Sequence, residues 1–235
     1  MKKYPQLSDD ATHFLTDGKP AFGGKRFIDA LKFHDPGLAP VCDHTGWYHI
    51  TIQGKPLYSD RYKRAFGYYF NRAAVVDADG NWFHIDERGK RVYPQNYAWA
   101  GNYQEEVCTV RLKDGSYQHI DLFGKPLYGE TYAYAGDFKD GYAVVRIGNG
   151  YAMHIDKHGK PLNSKQFLDL GVFHKRFATA RDSRGWFHID RNGNPLYPER
   201  YAAVEVFYNG QALVETHTGQ KLIIDEQGQV VMEIK

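Results

Sequence analysis

Short runs in which bulky apolar side chains alternate with polar ones, each closed by a glycine-containing turn, recur along the whole chain. In Gly185-Trp186-Phe187-His188-Ile189-Asp190 the alternation puts Trp186, His188 and Asp190 on one face and Phe187 and Ile189 on the other. Large groups on both faces predict a strand buried on both sides. A histidine recurs in this run at His13, His49, His84, His119, His154 and His188, and a glycine follows five residues later at Gly18, Gly54, Gly89, Gly124, Gly159 and Gly193. A seventh copy keeps Gly228 but carries Ile223 in the histidine position, and the steps are 36, 35, 35, 35, 34 and 35 residues. One supersecondary unit is therefore repeated seven times.

The rest of each unit also reads as strand and turn. Asp190-Arg191-Asn192-Gly193 predicts a type I turn closed by a glycine of positive φ, and Pro195-Leu196-Tyr197 is the expected hairpin partner. Asp86, Asp121, Asp156 and Asp225 begin the same turn elsewhere, where an aspartate accepts hydrogen bonds from the turn's own amides. Thirteen residues after the histidine stands an aromatic, at Tyr62, Tyr97, Tyr132, Phe167 and Tyr201, and a second follows at Tyr69, Tyr103, Phe138, Phe173 and Phe207. A further strand is marked by a small residue at Ala39, Ala74, Cys108, Ala143, Ala178 and Ala212. Apolar residues at helical spacing do not persist beyond about one turn. The expectation is an all-β fold, a β-propeller of short four-stranded antiparallel blades. Seven hairpins give seven blades, or six if the terminal copies share one. The first and last copies are incomplete in complementary ways, which predicts a ring closed by pairing of the termini.

Composition narrows this picture. The repeat runs through all 235 residues with no linker, so a single domain spanning 1–235 is expected. With 42% hydrophobic residues, among them 18 Tyr and 14 Phe, the core is aromatic rather than leucine-rich. Thirty basic against 28 acidic residues leave a formal charge of +2, too little to drive binding to nucleic acid. No run reaches the roughly 18 apolar residues of a membrane span. Met1 to Asp10 carries Lys2 and Lys3 but no following apolar stretch, so no secretory leader is predicted. Cys42 and Cys108 fall at inequivalent repeat positions, which argues against a disulfide framework and for the cytoplasm.

The chain resembles the WG repeat, a bacterial family whose units carry a W-G-Y-I-D type strand, a T/N-G-K turn, a Pro-Tyr segment and an F-x-x-G-x-A-x-V stretch. The matching residues are Trp47-Tyr48-His49-Ile50, Trp82-Phe83-His84-Ile85-Asp86 and Trp186-Phe187-His188-Ile189-Asp190, then Gly54-Lys55, Gly89-Lys90, Gly124-Lys125 and Gly159-Lys160, then Phe138-Lys139-Asp140-Gly141-Tyr142-Ala143-Val144-Val145. Tyr48, Phe83 and Phe187 replace the family's glycine, and histidine replaces its tyrosine, a histidine-bearing variant. The resemblance implies a propeller-like interaction scaffold and no active site.

Residue chemistry gives little sign of catalysis. The motifs G-x-S-x-G, P-loop, G-x-G-x-x-G after a strand, C-x-x-C and H-E-x-x-H are all missing. Six equivalent histidines invite a metal reading, but mid-strand imidazoles beside an aromatic and an aspartate are better read as hydrogen-bonded core groups. Lys19, Lys55, Lys90, Lys125 and Lys160 follow the turn glycines and read as solvated turn charges. No cofactor, metal or catalytic residue is assigned. More telling are breaks in the pattern. The turn before the small-residue strand holds Gly37, Gly141 and Gly210 in three copies but Arg72, Glu106 and Arg176 in three others. Arg72, Glu105, Glu106 and Arg176, beside the aromatics Tyr68, Phe70 and Tyr208 expected at the surface, form the candidate partner-binding cluster.

These features favour a non-catalytic propeller scaffold that binds a protein partner through one face. A glycan-binding, lectin-like propeller, with sugars stacked on Tyr or Trp of several blades, is the alternative. An enzyme whose axial pocket draws single residues from several blades is the second alternative, since fold alone does not decide activity.

Overall fold

The computed structural model describes residues 4–234; Lys2 and Lys3 of the basic start lie outside them. Each of the seven sequence copies becomes one antiparallel sheet of consecutive strands. The first holds β1 (Gln6–Leu7), β2 (Phe14–Thr16) and β3 (Lys19–Pro20), and is followed by a short 3-10 turn at Phe22–Gly24. The second holds β4 (Asp29–Ala30), β5 (Leu38–Asp43) and β6 (Gly46–Thr51), and the third β7 (Arg64–Tyr69), β8 (Arg72–Val76) and β9 (Trp82–Asp86). The fourth holds β10 (Trp99–Ala100), β11 (Cys108–Arg111) and β12 (Tyr117–Ile120), and the fifth β13 (Tyr134–Ala135), β14 (Ala143–Arg146) and β15 (Ala152–Ile155). The sixth holds β16 (Asp169–Leu170), β17 (Ala178–Asp182) and β18 (Gly185–Ile189). The last has four strands, β19 (Ala203–Val204), β20 (Gln211–Glu215), β21 (Lys221–Asp225) and β22 (Val230–Ile234).

The chain divides into two compact units, Met1–Pro126 with the first four sheets and Leu127–Lys235 with the other three. In the first unit one apolar cluster gathers Phe14, Phe33, Val41 and Ile50, and another gathers Tyr68, Ile85, Tyr103 and Val110. In the second unit Phe173, Phe187, Ile189, Tyr201 and Ile224 share a single cluster. Every repeat puts an isoleucine after its histidine position, except where Phe14 stands, and Ile50, Ile85, Ile120, Ile155, Ile189 and Ile224 are all fully buried.

Three expectations need correction. Six of the seven sheets have three strands rather than four. The backbone of the Pro-Leu-Tyr segment meets the histidine strand only through a single bridge, such as Ile189 with Pro195, and one amide bond, Leu196 N–H to the His188 carbonyl at 3.0 Å. The same single bridge forms in the third repeat, where Arg91 stands in place of the proline. Secondly, no sheet among the described residues combines strands from the two ends of the chain.

The third correction is a one-residue register in the third repeat. Pairing opposite the conserved isoleucine puts Ala39, Cys108, Ala143, Ala178 and Ala212 in the small position, as expected, but Ala73 instead of Ala74. The second aromatic is accordingly Tyr68 and not Tyr69. The hairpin between β8 and β9, Asp77 to Asn81, is as long as that of the fourth repeat, Leu112 to Ser116, so of the adjacent Ala73 and Ala74 it is Ala73 that meets the isoleucine.

Candidate interaction surface

The repeated histidines are interior groups. His49, His84, His119, His154 and His188 are buried. Where both ring nitrogens are resolved, the bonding repeats: Nε2 of His49, His84 and His188 lies 2.8, 2.9 and 2.8 Å from the carbonyls of Phe66, Gly101 and Glu205. A carbonyl only accepts, so Nε2 carries the proton. Nδ1 is then the acceptor for a tyrosine hydroxyl nine residues on, Tyr58, Tyr93 or Tyr197, each at 2.5 Å. Burial, opposed only by the carbonyl bond, holds His49, His84, His154 and His188 down to about 4, so these rings are neutral at physiological pH. The ring faces are covered as well: the centroids of Tyr68 and Tyr103 lie 4.8 Å from those of His49 and His84. Both nitrogens of His49, His84 and His188 are thus committed to the fold, which leaves them no lone pair for a metal.

The same tyrosines join one repeat to the next. A side chain nine residues after the histidine position lies over the turn glycine of the following copy: Phe22 over Gly54, Tyr58 over Gly89, Tyr93 over Gly124, Tyr128 over Gly159, Asn163 over Gly193 and Tyr197 over Gly228. The turn requires φ near +75°, and a Cβ on Gly228 would come within 2.6 Å of Tyr197. Glycine is demanded twice, by conformation and by close approach. The aspartate that opens each turn behaves as expected, Asp225 accepting from the amides of Gln227 and Gln229 at 2.9 and 2.8 Å. The five turn lysines are exposed.

The predicted cluster resolves differently in its members. Arg72, Glu105, Glu106, Tyr68 and Phe70 belong to the first unit, Arg176 and Tyr208 to the second. Tyr68 is buried, not exposed, because the register shift makes it the partner of His49 and sends its hydroxyl to the Asp86 carbonyl at 2.9 Å. Arg72 is the first residue of β8 rather than a turn residue. The turn is Phe70-Asn71, both at positive φ, with asparagine in the glycine place. The pattern is broken at Glu106, φ +69°, and at Arg176. Arg72 Nε donates to the Leu122 carbonyl at 3.0 Å, and Arg176 reaches Glu226 at 2.8 Å. Each arginine thus ties the turn before a small-residue strand to the histidine-glycine turn of the next copy. Both kinds of turn therefore emerge side by side within each unit.

The comparisons with known proteins show fold alone. No protein-family model matches the sequence, and no curated protein sequence matches it. Among solved structures, the computationally designed Ika8 protein is similar over 96% of this chain and 81% of its own, at 14% identity and a TM-score of 0.51. BamB from Moraxella catarrhalis is similar over 88% and 73%, at 15% identity and a TM-score of 0.49. The WD40 β-propeller domain of Doa1 covers 89% and 86%, at 12% identity and a TM-score of 0.38. The fold is an all-β repeat of propeller type.

One surface residue escaped the sequence reading. Phe123 lies four residues after His119, where the other copies carry Asp17, Gln53, Arg88, His158, Asn192 and Gln227. It is 75% exposed, and it adjoins the Leu122 carbonyl to which Arg72 is bonded. Phe70, two residues before Arg72, is 48% exposed. In the second unit Tyr208 is 72% exposed in the turn equivalent to that of Phe70. An aromatic in a slot that is polar in six other copies was the available signal.

Proposed function

We propose that the chain is a seven-bladed propeller scaffold of the WG-repeat kind that binds a protein partner through the face bearing its turns. The observation that carries this reading is the Phe70 and Phe123 pair of turns, tied together by Arg72 and left apolar to solvent. Exposed aromatics beside an arginine are the residues that dominate protein interfaces, and nothing in the packing of the repeat demands them there. The rigid repeat beneath, with its neutral buried histidines, supplies a platform rather than reactive groups. The test is affinity capture from native lysate, comparing wild type with Phe70→Asn plus Phe123→Gln. Asparagine suits the positive φ at 70 and glutamine is native to the equivalent slot in two other copies, so thermal stability should be unchanged. A specific protein retained by wild type and lost by the variant is expected; equal capture by both removes this surface from the interface.

Carbohydrate binding is the second reading, supported by Trp99, 38% exposed, and Tyr134, 48% exposed, which occupy equivalent positions of successive repeats. Aromatic faces repeated at one position are what sugar rings stack upon.

A further inference from the structure

The fifth repeat keeps its histidine but not the tyrosine that answers it. In the second, third and sixth copies Tyr58, Tyr93 or Tyr197 brings its hydroxyl to Nδ1 at 2.5 Å, with ring centroids 5.8 to 5.9 Å apart. In the first copy Phe22 has no hydroxyl, and the half-buried His13 turns Nδ1 to Thr12 Oγ1 at 3.3 Å instead. The fifth copy has Asn163, whose side chain is engaged elsewhere: Nδ2 donates to the Arg191 carbonyl at 3.2 Å, and Oδ1 accepts from the Lys165 amide at 2.9 Å. Asparagine is also the shorter residue, with no counterpart to the hydroxyl and outer ring atoms of a tyrosine.

His154 is nevertheless a core group. It is 4% exposed, its Nε2 donates to the Gly171 carbonyl at 2.9 Å, and its ring packs against Phe173 with centroids 4.4 Å apart. With the proton on Nε2, Nδ1 keeps a lone pair, and no donor among the described residues reaches it. Every enclosed side-chain nitrogen or oxygen among the described residues has a partner, so this nitrogen is one that solvent touches, and the slot before it opens outward. At the far end, where tyrosines cover the turn glycine in other copies, Lys165 Cδ and Asn163 Cγ lie 3.1 and 3.2 Å from the place a Gly193 Cβ would take. Lys165 is exposed, and its apolar stem is flexible enough to move aside and then lie along a ring.

We infer that the fifth repeat binds a phenolic ring from outside the chain, its hydroxyl donating to His154 Nδ1 and its edge held by Asn163 and the Lys165 stem near Gly193. Three other copies show what such a site accepts: a fixed imidazole tautomer paired with a tyrosine hydroxyl beside a turn glycine. The hydroxyl is essential, because a ring without one leaves a buried lone pair unanswered. A free phenol and a tyrosine side chain on a peptide bring the same group. All of these residues belong to the second unit, so the site is independent of the Phe70 and Phe123 surface in the first.

Titration of the isotope-labelled full chain with phenol, followed at the histidine ring nitrogens by NMR, tests this. A saturable shift of His154 Nδ1 is expected, with His84 unmoved, and benzene should bind at least about tenfold more weakly. Asn163→Tyr restores the internal pair and should raise the melting temperature while abolishing phenol binding; Asn163→Phe, the residue type of Phe22, should block the slot without supplying a hydroxyl. N-acetyl-tyrosine amide separates the two sources: binding as tight as phenol assigns the slot to a tyrosine on a peptide, and exclusion assigns it to free phenols. The absence of a saturable shift at His154, binding that survives both Asn163 variants, or benzene binding as tightly as phenol would each overturn the inference.

Discussion

The third and seventh repeats descend from one pattern but hold their strands together differently. In the third, His84 bonds Tyr93 and the Gly101 carbonyl and packs against Tyr103, so a polar group deep in the core has both nitrogens satisfied. In the seventh, Ile223 stands in that place, half-buried, and the position of the tyrosine is taken by exposed Met232 on β22. The imidazole bonds a tyrosine in the third repeat and gives way to isoleucine in the seventh, although His154 persists where Asn163 takes the tyrosine position. In the third repeat the histidine-tyrosine pair fixes the Tyr93 ring over the next turn glycine, Gly124.

The comparison can be broken most severely by acid. The histidine-bearing repeats hold neutral rings at about 4, against an ordinary value near 6.5. The unfolded chain binds more protons between those values, so the stabilisation is complete above pH 6.5 and is lost as pH falls through the window toward 4. Each of the four rings contributes at most about 3 kcal/mol. Unfolding followed by tryptophan fluorescence from pH 7 to pH 4 should show a loss of stability well before the carboxylates titrate, and a flat profile down to pH 4.5 would remove this role.

Single substitutions separate the two repeats next. His84→Ala leaves the Tyr93 hydroxyl and the Gly101 carbonyl buried without their partner and opens a cavity, and should cost about 4 kcal/mol. Ile223→Ala removes only half-buried apolar surface and should cost about 1 kcal/mol. Denaturant unfolding of both variants measures the gap; equal losses would mean the imidazole does no more than fill space.

The smallest effect contrasts two glycines of nearly equal conformation. Gly18 and Gly89 have φ of 75° and 76°, but Gly89 lies under Tyr58 and Gly18 under nothing. Gly18→Ala should cost about 1 kcal/mol from backbone strain alone, and Gly89→Ala about 3 kcal/mol because Tyr58 must also move. Melting temperatures of the two variants should differ in that order at low concentration.

Much of this was legible in the chain. The histidine-glycine spacing marked all seven sheets, and the aspartates announced the turns they close. Tyr197 was readable as a hairpin partner, but not as the group that bonds His188 and covers Gly228, since that requires knowing which copy lies beside which. Tyr68 was misread as a surface aromatic and Arg72 as a turn residue for one cause. Two adjacent alanines, Ala73 and Ala74, both fit the small position and only the pairing shows which one faces the isoleucine, and a strand shifted by one turns every side chain to the opposite face. Phe123 was visible as an apolar residue in a polar slot once the seven copies are aligned.

By itself the sequence determined the number of repeats, the strand and turn type of each segment, and the aromatic core, because alternation and positive-φ glycines are local properties of the backbone. Tertiary structure alone decided the pairing register of the third repeat, the neutral state of the histidines and the division between covered and open glycines. Those depend on which groups meet across separate copies, and on the burial that such meetings produce.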